Sequence, residues 1–160
     1  MAPTLKSKVK WDDEAGVPAN AGNELPKLEQ AYFAEVRKLL AGNPRPARLH
    51  RLRVSGKRLR YCLELFRPCY CPCLEERIES PKHVQDLLGQ ANDAVAGLKL
   101  IQHAMRPSRP RTRVERFARM RAAEKAKAFR AYWRSEFDAP GRAEWWSGYL
   151  AREAHAPDRK

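Results

Sequence analysis

Leu49-His50-Arg51-Leu52-Arg53-Val54-Ser55-Gly56-Lys57-Arg58-Leu59-Arg60-Tyr61 is the stretch on which the reading of this chain turns. At about 100° per residue, Leu49, Leu52, Gly56, Leu59, Leu63 and Phe66 share one face of a helix. His50, Arg53, Lys57 and Arg60 fall on the adjoining face, within an arc of about 80°. Arg51 and Arg58 lie on a separate flank, about 100° from His50. The apolar stripe docks the helix, and a row of donors about 5–6 Å apart runs along its edge. A solvated basic face is the plain alternative. Edge positions beside a core stripe are half-buried, however, and that favours anion binding.

The same periodicity extends in both directions. Upstream, Leu25, Leu28, Tyr32, Val36, Leu39 and Leu40 recur at three- and four-residue steps and predict a helix from Pro26 to the Gly42-Asn43-Pro44 stop. The helix carrying the basic row starts near Pro46, a residue suited to a first helical position, and ends at Arg67-Pro68. A connection follows, with a short helical piece from Leu74 to Ile78. Ser80-Pro81 then reads as the cap and first turn of a third helix that carries Val84, Leu87, Leu88, Val95, Leu98 and Ile101. After Pro107 and Pro110, a fourth helix is predicted from about Arg111 to Phe137. The aromatic segment Trp145 to Leu150 is expected to fold back as a cap on the bundle. Residues 1–23 lack apolar periodicity and read as a flexible arm, and 151–160 as a flexible tail. The fold class is all-α, with four helices over residues 24–150.

Composition limits the partners. The 160 residues carry 32 Lys and Arg against 19 Asp and Glu, a formal charge of +13, which attracts polyanions such as nucleic acid, acidic lipid or polyphosphate. No apolar run is long enough to span a membrane, and Met1 to Lys6 lacks the apolar segment of a secretory signal, so a cytoplasmic protein is expected. The cysteines Cys62, Cys69, Cys71 and Cys73 do not have the spacing of a structural zinc site. Free thiols at a helix connection are expected, and neither a metal nor a cofactor is implied.

Two further helices supply candidates. On the third, Lys82, Asp86, Gly89 and Asp93 share a face, with Gln85 and Asn92 beside it. Asp86 and Asp93 are expected to fix the Arg and Lys side chains by charge-assisted hydrogen bonds, and Gly89 to permit close approach. On the fourth, Arg121 and Lys125 share the stripe of Val114, Phe117, Ala128 and Tyr132, where charges need a partner or an anion.

Leu49 to Val54, followed by Lys57 to Tyr61 and Glu64-Leu65-Phe66, resembles the signature helix of CHAD domains, the histidine-containing α-helical family. Val84-Gln85-Asp86-Leu87-Leu88-Gly89 with Asn92-Asp93-Ala94 is similar to that family's second motif. The resemblance implies an antiparallel four-helix bundle that binds inorganic polyphosphate. The acidic E-x-E-x-K signature of the triphosphate-hydrolysing domain fused to some members is not present, so no catalysis is expected. It carries binding roles onto His50, Arg53, Lys57 and Arg60, with Arg51 and Arg58 beside them and Asp86 and Asp93 as supports. Lys82, Arg121 and Lys125 complete the candidate binding set, and Tyr61, Gln85 and Asn92 the supporting one. Members of the family usually hold two such repeats around a channel, whereas this chain holds one, which makes a homodimer the economical way to complete it. Asn92 stands where some repeats carry a histidine, so metal binding through paired histidines is not expected. A nucleic-acid-associated basic protein is the alternative, although no helix-turn-helix, zinc-finger or RNA-binding motif is visible.

Overall fold

The computed structural model describes residues 10–42 and 46–155. They form five α-helices: α1 Val17–Leu40, α2 Pro46–Leu65, α3 Cys73–Ala104, α4 Arg109–Tyr132 and α5 Arg142–Arg152. A 3₁₀ turn, Arg67–Cys69, joins α2 to α3, and a π-helical turn, Trp133–Phe137, extends α4. Among the described residues there is no strand, so the protein is all-helical. The aromatic segment expected as a cap is a helix in its own right, which makes five helices where four were expected.

From α1 to α4 consecutive helices run antiparallel, and α5 runs antiparallel to α1, against which it packs. Arg60 meets Gln85 while Arg53 lies against Gly89, so α2 and α3 ascend in opposite senses. His83 packs on Tyr132 at one end of the α3–α4 pair, and Ile101 faces Val114 near the other. α1 lies against both α2 and α5, and α3 is flanked by α2 and α4.

Two helices begin earlier than their prolines suggest. α1 starts at Val17 and α3 at Cys73, leaving Pro26 and Pro81 inside helices. An interior proline removes a backbone hydrogen bond and costs about 3 kcal/mol. Here the turns upstream of each proline bury Ala21 and Leu25 in α1, and Leu74 and Ile78 in α3. That burial outweighs the local penalty, as tertiary packing commonly does. The Leu74–Ile78 piece is therefore the first part of α3, and Ser80-Pro81 caps nothing.

The expected arm over 1–23 is largely structured where it is described. The buried Asn20 carboxamide accepts from the Asp12 amide at 2.9 Å and donates to the Asp12 and Ala15 carbonyls at 2.9 and 3.0 Å. Trp11 stacks on Phe66 with ring centroids 6.1 Å apart. Residues 1–9 of that arm, Asn43-Pro44 of the first stop signal, and residues 156–160 of the tail lie outside the described residues. At the near end of the tail, the His155 amide donates to the Cys69 carbonyl at 2.8 Å.

The core gathers where α1, α4 and α5 converge. Trp133, fully buried, sits 4.9 Å from the Phe33 ring and 4.7 Å from Phe137, centroid to centroid. The π-helical turn swings Asp138 beneath this cluster, where it accepts from Trp133 Nε1 at 3.2 Å and is clamped by Arg37 of α1. Leu52, Leu59 and Leu63 bring the predicted apolar face of α2 into the same core. Cys62 and Cys69 are free thiols, whereas Cys71 is disulfide-bonded, a departure from the free thiols expected throughout.

Candidate functional site

Two glycines mark where α2 meets its neighbours, Gly56 against α1 and Gly89 of α3 against α2. A Cβ on Gly56 would lie 2.8 Å from Tyr32 Oη, so only glycine lets α1 approach α2 here. A Cβ on Gly89 would lie 3.4 Å from Arg53 Nε, which shows the Arg53 side chain lying directly over the α3 backbone. Between them stands Gln85, buried, which bridges the helices. Its Nε2 donates to the Gly56 carbonyl at 3.0 Å, and its Oε1 accepts from Arg60 Nε at 3.1 Å.

The basic row then divides by how each member is held. Arg60 is anchored by Gln85, by Glu64 Oε1 at 2.5 Å, and by its guanidinium lying 4.5 Å over the exposed Tyr61 ring. Lys57 and Arg53 are half-buried and His50 is exposed, and none of the three has an ion pair among the described residues. Arg53 Nε is buried without a hydrogen-bond partner, and so is Asn92 Nδ2, one turn beyond Gly89 on α3. Two buried donors thus face the same seam with no acceptor supplied by the described residues, an arrangement that proteins rarely leave unsatisfied. Arg51 is exposed on the outer flank. Arg58, half-buried, faces the Cys62 thiol, whose pKa burial pushes up and Arg58 partly draws back.

The acidic supports stand elsewhere than expected. Asp86 and Asp93 are exposed, and neither makes an ion pair or hydrogen bond among the described residues. Helical geometry explains this. Gln85 and Gly89 face α2, Gln90 and Gly97 face α4 roughly 110° further round, and both aspartates fall in the open sector between. The neutral Gln85 takes the positioning role. Lys82 pairs with Glu79 at 2.5 Å and Arg121 with Glu124 at 3.1 Å, each on its own helix. Arg121 and the half-buried Lys125 line the α3–α4 groove together with Asp93. They therefore stand on the far side of the open sector from the α2 row. Exposed pairs within one helix are worth little, so Lys82 and Arg121 can exchange their partners for another anion at small cost.

Glu64, quoted above only as part of the motif, has a legible role in its place four residues after Arg60, the spacing of a helical ion pair. The buried carboxyl of Glu29 is one that no local pattern reveals. Among the described residues, no group of three or more His, Cys, Asp or Glu is placed to hold a metal ion. No helix among them is long and apolar enough to cross a membrane.

These features define an all-helical protein whose candidate site is a row of cations along a helix seam, braced by an amide. The model of the CHAD domain family matches residues 4–102, more than half of the chain, and the protein belongs to that family. The match takes in both motifs and ends within α3, before α4 begins. No curated protein and no solved structure matches the chain.

Proposed function

We propose that this protein binds inorganic polyphosphate, without catalysis, along the α2 edge defined by His50, Arg53, Lys57 and Arg60. The observation that carries the reading is the pair of buried, acceptorless donors, Arg53 Nε and Asn92 Nδ2, beside cations that lack a carboxylate partner. A phosphate chain supplies oxygens at each step, and fixed guanidinium donors bind such oxygens by short charge-assisted bonds. Membership of the CHAD domain family, which is associated with polyphosphate binding, supports the same ligand. Arg121 and Lys125 extend the positive field across the open sector of α3. The four-helix repeat of the family corresponds in this reading to α1–α4, and a second copy of the chain in a homodimer completes a channel.

Fluorescence anisotropy with end-labelled long-chain polyphosphate tests the reading directly. Saturable binding that weakens as salt rises is expected, with double-stranded DNA and RNA competing poorly at equal phosphate concentration. Equal or better competition by nucleic acid would transfer the site to the alternative ligand. Release of orthophosphate from the bound chain, with or without Mg²⁺, would contradict the non-enzymatic assignment.

A further inference from the structure

The distal part of the α3–α4 hairpin carries apolar side chains that the described residues leave largely exposed. Val114, Phe117 and Met120 are 42%, 58% and 57% exposed, and Leu100, near the facing end of α3, is 67% exposed. A groove of about 330 Å³ runs between the two helices, and beside Gly97 a Cβ would meet nothing within 4 Å. Isolated exposed apolar residues are ordinary, but a contiguous set on one projecting hairpin marks an interaction surface.

The charge around this set says what it meets. α4 carries nine Arg and Lys against two Glu, and both glutamates are paired to arginines of the same helix. Arg113 and Arg116 make no ion pair among the described residues. Helical geometry places Arg113, Phe117 and Met120 within a sector of about 60°, with Arg116 about 40° outside it and Glu124, paired to Arg121, within it. A second copy docking here, with no polyanion between the two faces, would set the same positive excess against itself. A protein surface suited to the apolar side chains alone would leave the guanidinium groups desolvated and unpaired. A surface with anionic phosphates above hydrocarbon satisfies both groups at once.

We propose that the outer face of α4 docks on an anionic phospholipid bilayer, with Phe117 and Met120 entering the boundary below the headgroups and Arg113 and Arg116 at the headgroup phosphates. The surface is separate from the α2 row and does not rest on the polyphosphate reading. The adjacent tryptophans Trp145 and Trp146, a residue type that suits a membrane boundary, are engaged within the protein instead. Trp146 is buried, and Trp145 stacks under the Arg77 guanidinium at 4.2 Å.

Co-sedimentation at 0.15 M salt with vesicles of phosphatidylcholine and phosphatidylserine, against phosphatidylcholine alone, tests the proposal. Binding is expected only to the anionic vesicles. The exposed double variant Phe117→Ser/Met120→Ser should lower the partition coefficient by a factor of about ten or more. It should keep the wild-type helical circular dichroism and the wild-type affinity for polyphosphate, so the two readings fail independently. Undiminished vesicle binding by the variant, or equal binding to neutral vesicles, would overturn the proposal. So would a doubled mass in vesicle-free light scattering that the same variant abolishes, since that would assign the face to a second copy.

Discussion

Replacing Glu29 by glutamine should stabilise the protein, and by an amount that grows with pH. Glu29 is 2% exposed, and neither carboxyl oxygen has a hydrogen-bond partner. Leu59, Leu63, Pro81, Phe137, Trp146 and Leu150 surround the void it lines. Burial in this apolar setting pushes its pKa up to about 8 from 4.5, with Arg37 opposing and Glu144 and Asp138 reinforcing the rise. The folded protein therefore holds a proton on Glu29 at neutral pH, whereas the unfolded chain releases it above about pH 4.5. Below the unfolded value both states are protonated and the linkage vanishes. Between 4.5 and about 8 the native state binds more protons, so stability falls as pH rises, and above 8 the loss is complete. Each pKa unit is worth about 1.4 kcal/mol, so the loss at pH 7 is on the order of 3 kcal/mol. Glu29→Gln keeps the shape without the charge and escapes that loss. Urea unfolding followed at 222 nm at pH 5, 7 and 8.5 should show the variant's advantage widening from near zero to a few kcal/mol. A difference that stays constant with pH, or a variant less stable throughout, would refute the reasoning.

Two further perturbations probe the contacts of α2 with α1 and with α3. Gly56→Ala places a methyl group 2.8 Å from Tyr32 Oη, and Tyr32 is held edge-on to Trp133 at 5.7 Å, so it has little room to yield. A loss of about 1–3 kcal/mol is expected in urea unfolding, although alanine is the better helix former. Adding Tyr32→Phe, which removes the offending oxygen, should recover most of it, and a Gly56→Ala protein as stable as wild type would contradict the packing described. Gln85→Leu removes both bridging bonds at an expected cost of about 1–3 kcal/mol. By releasing Arg60 it should also weaken polyphosphate binding in anisotropy, and unchanged affinity would deny Gln85 its positioning role.

The legible part of the fold was the part written as periodic apolar spacing. The α2 face of Leu49, Leu52, Leu59 and Leu63 is buried as expected, and the half-buried basic edge follows from it geometrically. Helix starts were less legible because Pro26 and Pro81 are strong local stop signals. Only the three-dimensional burial of Ala21, Leu74 and Ile78 reveals why the helices run through them. The site was legible in residue type and less so in partnership. Asp86 and Asp93 read as natural partners for arginine, but their sector of α3 opens to solvent between α2 and α4. Gln85, one position before Asp86, is turned about 100° the other way and meets Arg60. Glu29 gave no signal, because a glutamate among helix formers looks like surface until the helices on every side of it are in place.

Whether the α2 row grips polyphosphate is decided by the charge-reversal variant Arg53→Glu/Lys57→Glu. Calorimetric titration with polyphosphate at several salt concentrations gives both affinity and the slope of log K against log salt. Each lost phosphate contact should flatten that slope by about 0.7–0.9, by analogy with nucleic acids. At least a hundredfold loss of affinity at low salt and a slope shallower by roughly 1.5 to 2 are expected, with the helical circular dichroism of the wild type retained. A folded variant that binds with wild-type affinity and an unchanged slope would place the polyanion elsewhere on the protein.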